Sequence, residues 1–255
     1  MNQLTLGAVA APAKRWLERN ARIRIYRHSV PHGLEVINDL KRVPEWTTHP
    51  EVIFDIGAHH GGTVARFRAE YPSATIYAFE PSSLNRIELT TAFGSDSRVK
   101  IYPLAVSKRN GTAVLQLGAT STMHRLLKAQ DVVSDASEQV TTVTLDSFCE
   151  SERVSRVQFC KIDTEGHDLE VLLGATGLLS AQRIDFVQFE TSFRRDTDYF
   201  HPIWDMDTFM NQMQYEMFGI YEQQPCWTGR SSLLYVNAVY VRSTLVNERP
   251  VLPPQ

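Results

Sequence analysis

The chain reads as an α/β protein built on a mostly parallel sheet, and three observations carry that reading. From Glu51 onward, strand-like and helix-like stretches alternate, the pattern of successive βαβ units. The first apolar stretch, Val52-Ile53-Phe54-Asp55-Ile56-Gly57-Ala58-His59-His60-Gly61-Gly62, turns through glycines beside an acid. The second, Ala74-Thr75-Ile76-Tyr77-Ala78-Phe79-Glu80-Pro81, also ends on a carboxylate. In open α/β sheets, ligands bind beyond the carboxyl ends of the strands, so acids delivered there are candidates for a site.

Taken in order, residues 1–48 are expected to form an N-terminal extension of short helical pieces, closed by Pro44 and Pro50. Within it, residues 14–27 interleave arginines with apolar residues. This segment is expected to pack its apolar stripe on the domain, the alternative being peripheral contact with an anionic membrane or an acidic acceptor. The sheet domain spans 49–245, and 246–255 is a tail. Short apolar runs predict strands at 52–56, 75–79, 99–104, 157–162, 184–189, 217–222 and 233–241. Helical periodicity falls near 61–71, 82–92, 167–174 and 205–215.

An insertion at about 110–146 breaks the rhythm. Gly111–Leu117 and Val140–Asp146 alternate at period two, like added strands, around the polar stretch Ala119–Ser137. A long excursion inside a compact domain is usually functional. At the ligand edge it would form a lid over an acceptor.

Composition narrows the function. The chain has 255 residues, 43% hydrophobic and 22% charged, which is ordinary globular usage. A net charge of -3 gives no push toward nucleic acid. No apolar run reaches the ~18 residues that span a bilayer, and Leu4–Pro12 lacks the basic start of a signal peptide. The three cysteines (Cys149, Cys160 and Cys226) show no paired spacing; reduced thiols in the cytoplasm are expected. Homo-oligomerisation is left open.

The candidate site follows from the strand ends. Asp55-x-Gly57-x-x-x-Gly61 departs from the dinucleotide fingerprint, because His59 stands where a middle glycine would admit a pyrophosphate. S-adenosylmethionine carries no phosphate but does carry an ammonium that Asp55 can hold. Glu80 follows Gly57 at close to the ~20-residue offset of an acid that binds ribose hydroxyls, with Pro81 after it. Ala105 and Val106, small residues after the third strand, leave room for adenine. Asp55, Gly57, His59, Gly61, Glu80, Pro81, Ala105, Val106 and Asp163 are thus the expected cofactor residues.

The most distinctive segment is Lys161-Ile162-Asp163-Thr164-Glu165-Gly166-His167-Asp168, followed by Glu170-Val171-Leu172-Leu173-Gly174-Ala175. Together with Asp55-Ile56-Gly57-Ala58, Phe79-Glu80-Pro81 and Thr144-Leu145-Asp146-Ser147-Phe148, it resembles the FkbM-type methyltransferases over roughly residues 50–245. That resemblance implies a Rossmann-like class I methyltransferase fold: a mostly parallel seven-stranded sheet with helices on both faces. It also implies S-adenosylmethionine as donor and a hydroxyl acceptor on a sugar, polyketide or other secondary metabolite. His59-His60 departs from the family, which more often has asparagine and then a small or aliphatic residue.

Methyl transfer to an alcohol calls for a base within hydrogen-bond reach. Asp163 has the better expected position and His167 the better intrinsic pKa; Glu165 and Glu190 complete the catalytic candidates. No metal is assigned. A divalent ion held by Asp163, Glu165, His167 and Asp168 is one rival reading, and simple helix-dipole pairing of those acids is another. Glu190 has its own alternative, pairing with Arg194 or Arg195. His124 and His201 are candidate acceptor contacts, the alternative being solvated loop histidines, and Tyr199, Phe200, Trp204 and Trp227 either wall an acceptor or pack in the core. The alternatives to an O-methyltransferase are a cofactor-binding module without turnover and an NAD-dependent oxidoreductase.

Overall fold

The computed structural model describes residues 3–5, 24–26, 30–44, 46, 50–118, 124–127, 136–195, 199–225 and 232–246. Contacts divide the chain into two units, Met1–Thr47 and Thr48–Gln255. In the first, β1 (Gln3–Thr5) pairs in parallel with β2 (Arg24–Tyr26), and one helix follows, α1 (Val36–Leu40). The Glu35 carboxylate caps it by accepting from the N–H groups of Ile37 and Asn38. The strand at Arg24–Tyr26 corrects the expected all-helical character of this region. Ile25 and Tyr26 are residues that favour extended backbone. Of the basic segment 14–27, the remainder lies outside the described residues.

The second unit begins with β3 (Val52–Ile56), α2 (Gly62–Glu70), β4 (Thr75–Phe79), α3 (Ser83–Phe93) and β5 (Val99–Tyr102). The insertion contributes β6 (Leu104–Val106), β7 (Gly111–Gln116), β8 (Arg125–Leu126) and β9 (Ser137–Val143). Then come α4 (Leu145–Ser151), β10 (Val157–Ile162), α5 (Asp168–Leu173), α6 (Thr176–Ser180) and β11 (Ile184–Thr191). The chain ends in α7 (Ile203–Gln212), β12 (Tyr215–Pro225), β13 (Leu233–Arg242) and α8 (Ser243–Val246).

The main sheet has seven strands in the order β12-β13-β11-β10-β3-β4-β5. All neighbours run parallel except β13, which is antiparallel to both β11 and β12. Strand order reverses where β10 lies beside β3, the switch point at which open α/β sheets form their crevice. Side chains alternate between two covered faces. Phe54, Ile56, Phe79, Cys160, Ile162 and Phe189 share a core with Phe148, Val171, Leu178 and Met206 of α4–α7. On the other face, Phe67 of α2 packs against Phe159 of β10, ring centres 5.1 Å apart. Each such fully buried ring contributes about 2 kcal/mol or more.

Two expected boundaries move. The strand read at 99–104 breaks at Pro103, which has no N–H to offer a ladder. The chain then leaves for a separate four-stranded sheet, β6-β9-β7-β8, with its own small core of Ala105, Leu115, Leu126 and Val140. Leu145 and Asp146 are helical, not extended. Thr144 caps α4 through Ser147 N–H, and the Asp146 carboxylate caps α6 by accepting from Gly177 and Leu178. No helix among the described residues is long and apolar enough to cross a membrane.

Candidate active site

The site is built where β3, β4 and β10 end together. Beyond Ile56 the chain turns at once through Gly57, with φ +80, a backbone state that glycine adopts without steric cost. The N–H groups of Gly57 and Ala58 both donate to the Phe79 carbonyl, at 2.9 and 3.0 Å, tying the first two strand tips together. On the other side, Asp163 N–H donates to the Ile56 carbonyl at 2.9 Å. A β carbon at Gly57 would lie 1.9 Å from the Asp163 carbonyl oxygen. Adjacent tips are therefore packed as closely as backbone permits.

These tips border a cavity of about 740 Å³, including its open mouth. Gly57, His59, Glu80 and Pro81 line it from the first two strands, and Asp163, Thr164 and Glu165 from the turn after β10. Ala105 and Val106 form an apolar side, extended by Leu115, His124 and Leu126 of the insertion. The insertion thus walls the side expected to take adenine, rather than lying over the acceptor alone. Among the described residues, His59 Nε2 and His124 Nδ1 are buried at this lining without a hydrogen-bond partner, and burial lowers the pKa of both rings. Orphaned polar atoms beside an apolar slot and a strand-end acid suit a nucleoside better than a dry core.

Glu80 is nearly buried and already employed. One carboxylate oxygen accepts from His59 N–H and the other from Ser82 N–H, each at 2.8 Å. Each oxygen can accept a second bond, so a diol and the two loops can share the group. Glu80→Ala is therefore expected to act twice. The cofactor dissociation constant should rise at least about tenfold. The protein should also lose about 2 kcal/mol from two stranded amides. Calorimetry and urea melts separate the two effects, and unchanged affinity with lowered stability would confine Glu80 to the loops.

Behind the cavity wall stand further carboxyl groups. Asp55 is fully buried, no donor among the described residues lies within ordinary hydrogen-bond distance of its oxygens, and it does not line the cavity. Burial pushes its pKa up to about 6, against the pull of Lys161. Lys161 Nζ donates to Asp163 Oδ2 at 2.8 Å and lies 3.8 Å from Asp55 Oδ1, an ion pair too long for a hydrogen bond. Burial opposes the ammonium, but Asp163 and Asp55 outweigh it and hold Lys161 well above the ordinary lysine range. Burial raises Glu165 to about 7, countered by the Tyr199 hydroxyl that donates to Oε2. Burial and three neighbouring acids lift Glu190 far above the carboxylate range.

Asp168 acts as a staple. Its Oδ1 accepts from Thr164 N–H and hydroxyl, and its Oδ2 from Glu190 N–H at 3.0 Å, which locks the turn after β10 to β11. Among the described residues, no three His, Cys, Asp or Glu side chains are grouped to hold a metal ion.

Several expected site residues lie elsewhere. His167 is outside the cavity lining: its Nε2 is 2.9 Å from Ser107 Oγ, and its Nδ1 is 3.8 Å from Glu170 Oε2. Glu170 also lies 3.6 Å from His201 Nε2 and 3.8 Å from Lys108 Nζ, so both histidines belong to this separate cluster. Gly61, with φ +88, serves helix packing, since a β carbon there would meet Phe93 and Leu89 at 2.7 and 2.8 Å. Glu190 does not line the cavity either. Tyr199 reaches Glu165, and Phe200 stacks on Tyr235 at 4.9 Å, forming an aromatic wall beside the acids. Trp204 is exposed against Phe193, and Trp227 is outside the described residues. Sequence reasoning passed over Lys161, although a lysine inside Phe159-Cys160-Lys161-Ile162 is itself a signal.

Comparison with known proteins finds methyltransferases among the relatives of this chain. The curated 2-O-methyltransferase NoeI of Sinorhizobium fredii is 24% identical over 152 residues, covering 54% of this chain and 63% of NoeI. The hexuronic acid methyltransferase AglP of Haloferax volcanii is 27% identical over 144 residues, 55% of each chain. The chain thus spans somewhat over half the length of these relatives. Among solved structures, a TehB-like SAM-dependent methyltransferase from Corynebacterium glutamicum aligns over 91% of this chain and 96% of its own, at 11% identity and a TM-score of 0.40. The Methyltransferase FkbM domain matches residues 55–217, more than half of the chain and the whole of the strand-tip cavity from Gly57 to Glu165. The chain belongs to the FkbM methyltransferase family.

Proposed function

We propose that this protein transfers a methyl group from S-adenosylmethionine to a hydroxyl oxygen of a sugar or other small-molecule or glycan acceptor. The observation that carries the reading is the cavity at the joined tips of β3, β4 and β10. It offers Glu80 for a ribose, Ala105 and Val106 for adenine, and Asp163 with its neighbouring acids for a cationic end. Names of the two curated relatives support a sugar acceptor, and a hexuronic or neutral hexose is the first class to try. Buried free thiols at Cys149 and Cys160 suit the reduced cytoplasm.

The cofactor, when bound, supplies a methyl carbon activated by positive sulfur. The protein aligns the acceptor, excludes water and removes a proton. Glu165 fits the base best, because it lines the cavity, is half-buried, and titrates near neutral pH. It takes the hydroxyl proton as the new carbon–oxygen bond forms. Asp163, committed to Lys161, orients the ligand instead. The Tyr199 hydroxyl bond fixes the Glu165 carboxylate toward its target.

The test combines binding and transfer. Calorimetry should show saturable binding of S-adenosylmethionine, and labelled cofactor should pass its methyl to a hydroxyl within a panel of hexuronic and neutral hexosides. Absence of saturable binding overturns the reading; binding without transfer to any acceptor would favour a module that has lost turnover. Glu165→Gln should lower kcat about a hundredfold, well beyond any loss of cofactor affinity from removing one acid near the cationic end. In the wild type, kcat/KM should rise with pH through about 7 as Glu165 ionises in the free protein. A persistent rise in Glu165→Gln would move the base elsewhere.

A further inference from the structure

Lys161 is the penultimate residue of β10, the middle strand of the sheet, in register with Asp55 of β3 on one side and Gln188 of β11 on the other. A lysine in the middle of a doubly covered sheet is costly unless its charge is compensated. Its side chain is 13% exposed, and its two nearest acids are Asp163 at 2.8 Å and Asp55 at 3.8 Å. Asp55 is buried more deeply still. Among the described residues no donor lies within ordinary hydrogen-bond distance of either oxygen, Lys161 at 3.8 Å being its charged neighbour, and it takes no part in the cavity lining, whereas Asp163 does. A carboxylate placed this way is destabilising by itself; the charge that compensates it is the Lys161 ammonium, and that same ammonium reaches Asp163 at the cavity wall.

We infer that Lys161 is a positioning residue: Asp55 anchors its ammonium, and the ammonium holds the Asp163 carboxylate at the cavity wall. Asp55 then acts on the ligand through Lys161 and not by contact. The inference rests on the reading of the cavity as a cofactor site. It changes the meaning of the acid that precedes the glycine turn, which the sequence alone suggests as holding the ligand's ammonium directly or through water.

A double-mutant cycle on the full chain tests it, with S-adenosylmethionine and S-adenosylhomocysteine as calorimetric probes. Lys161→Met should raise both dissociation constants at least about tenfold, and Asp55→Asn severalfold. The two losses should not add, leaving Asp55→Asn/Lys161→Met within about twofold of Lys161→Met. Lys161→Arg, which keeps the charge, should retain most of the affinity. Losses that multiply would mean that Asp55 and Lys161 reach the ligand separately, and would overturn the inference.

Stability supplies the second readout. The double variant removes a buried charge together with its partner, so it should melt close to the wild type while still binding weakly. Recovery of both stability and affinity would show that Lys161 merely fills the core, and the inference would fall. If Lys161→Met alone does not fold, the double variant takes its place. A crystal structure with S-adenosylhomocysteine then decides: an Asp55 oxygen within about 3.2 Å of the ligand overturns the relay. Failure of the wild type to bind either probe would instead sink the cofactor reading itself.

Discussion

Gly57→Ala is expected to cost the protein about 3 kcal/mol or more and to abolish cofactor binding. The added β carbon would stand 1.9 Å from the Asp163 carbonyl oxygen and 2.9 Å from its carbonyl carbon. The obstacle is backbone in a neighbouring strand tip, so no rotamer change relieves it. The φ of +80 adds about 1–2 kcal/mol for any residue with a β carbon, and overpacking a filled interior adds about 1–3 kcal/mol. Relief requires β3 and β10 to separate at their ends. That breaks the Asp163 N–H to Ile56 carbonyl bond and withdraws Asp163 from the cavity. Gly62→Ala is the control from the same turn. Nothing lies within 4 Å of its added carbon, and alanine favours a helix start over glycine by about 0.5–1 kcal/mol. Urea melts and calorimetry on the two variants should diverge sharply; equal behaviour would mean that the strand tips are not joined at Gly57.

Much of this arrangement is legible in the chain, because the relevant signals are local. Apolar runs set the strands, and the Gly57 turn and the acids after β4 and β10 mark the ligand edge of the sheet. Pro103 was equally visible as a break, yet the run Val99-Lys100-Ile101-Tyr102 carried the strand reading past it. What local pattern does not disclose is which of several neighbouring acids faces the cavity. Glu165 at φ +54 and Gly166 at φ +89 turn the chain sharply before α5. That turn leaves Glu165 on the cavity and carries His167 to Ser107. Glu165 also owes its environment to Tyr199, far away in sequence. The meaning of Lys161 depends on register between β10 and β3, strands separated by half the domain. Such pairings are set by tertiary packing, and no periodicity announces them.

The same crowding of acids sets the response of the ligand-free protein to pH, which should lose stability as pH rises from about 5 to 8. Asp55 and Asp168 have folded pKa values near 6 and Glu165 near 7, all above their ordinary values because of burial. Each holds its proton longer in the folded state than in the unfolded one. The stability linked to that proton is complete below the unfolded pKa near 4 and is lost as pH climbs through 6 and 7. At about 1.4 kcal/mol per pKa unit, Asp55 and Asp168 together bring a loss on the order of a few kcal/mol. His59 and His124, held below the ordinary histidine range, work in the opposite sense near pH 6. They are fewer and less buried, so the carboxyl groups should dominate. Glu170 is drawn down to about 2, where burial is outweighed by His201 and His167; it is ionised throughout this window and contributes no slope. A cation placed among these acids favours their ionised forms. S-adenosylmethionine should therefore raise the melting temperature more at pH 8 than at pH 5.5, and S-adenosylhomocysteine, lacking the sulfonium charge, should show the weaker trend. Thermal melts across that range, with and without each ligand, measure the effect directly. A stability curve that rises with pH in the ligand-free protein would show that these carboxyl groups are already ionised and solvated, and would remove the electrostatic basis for a cationic ligand at the strand tips.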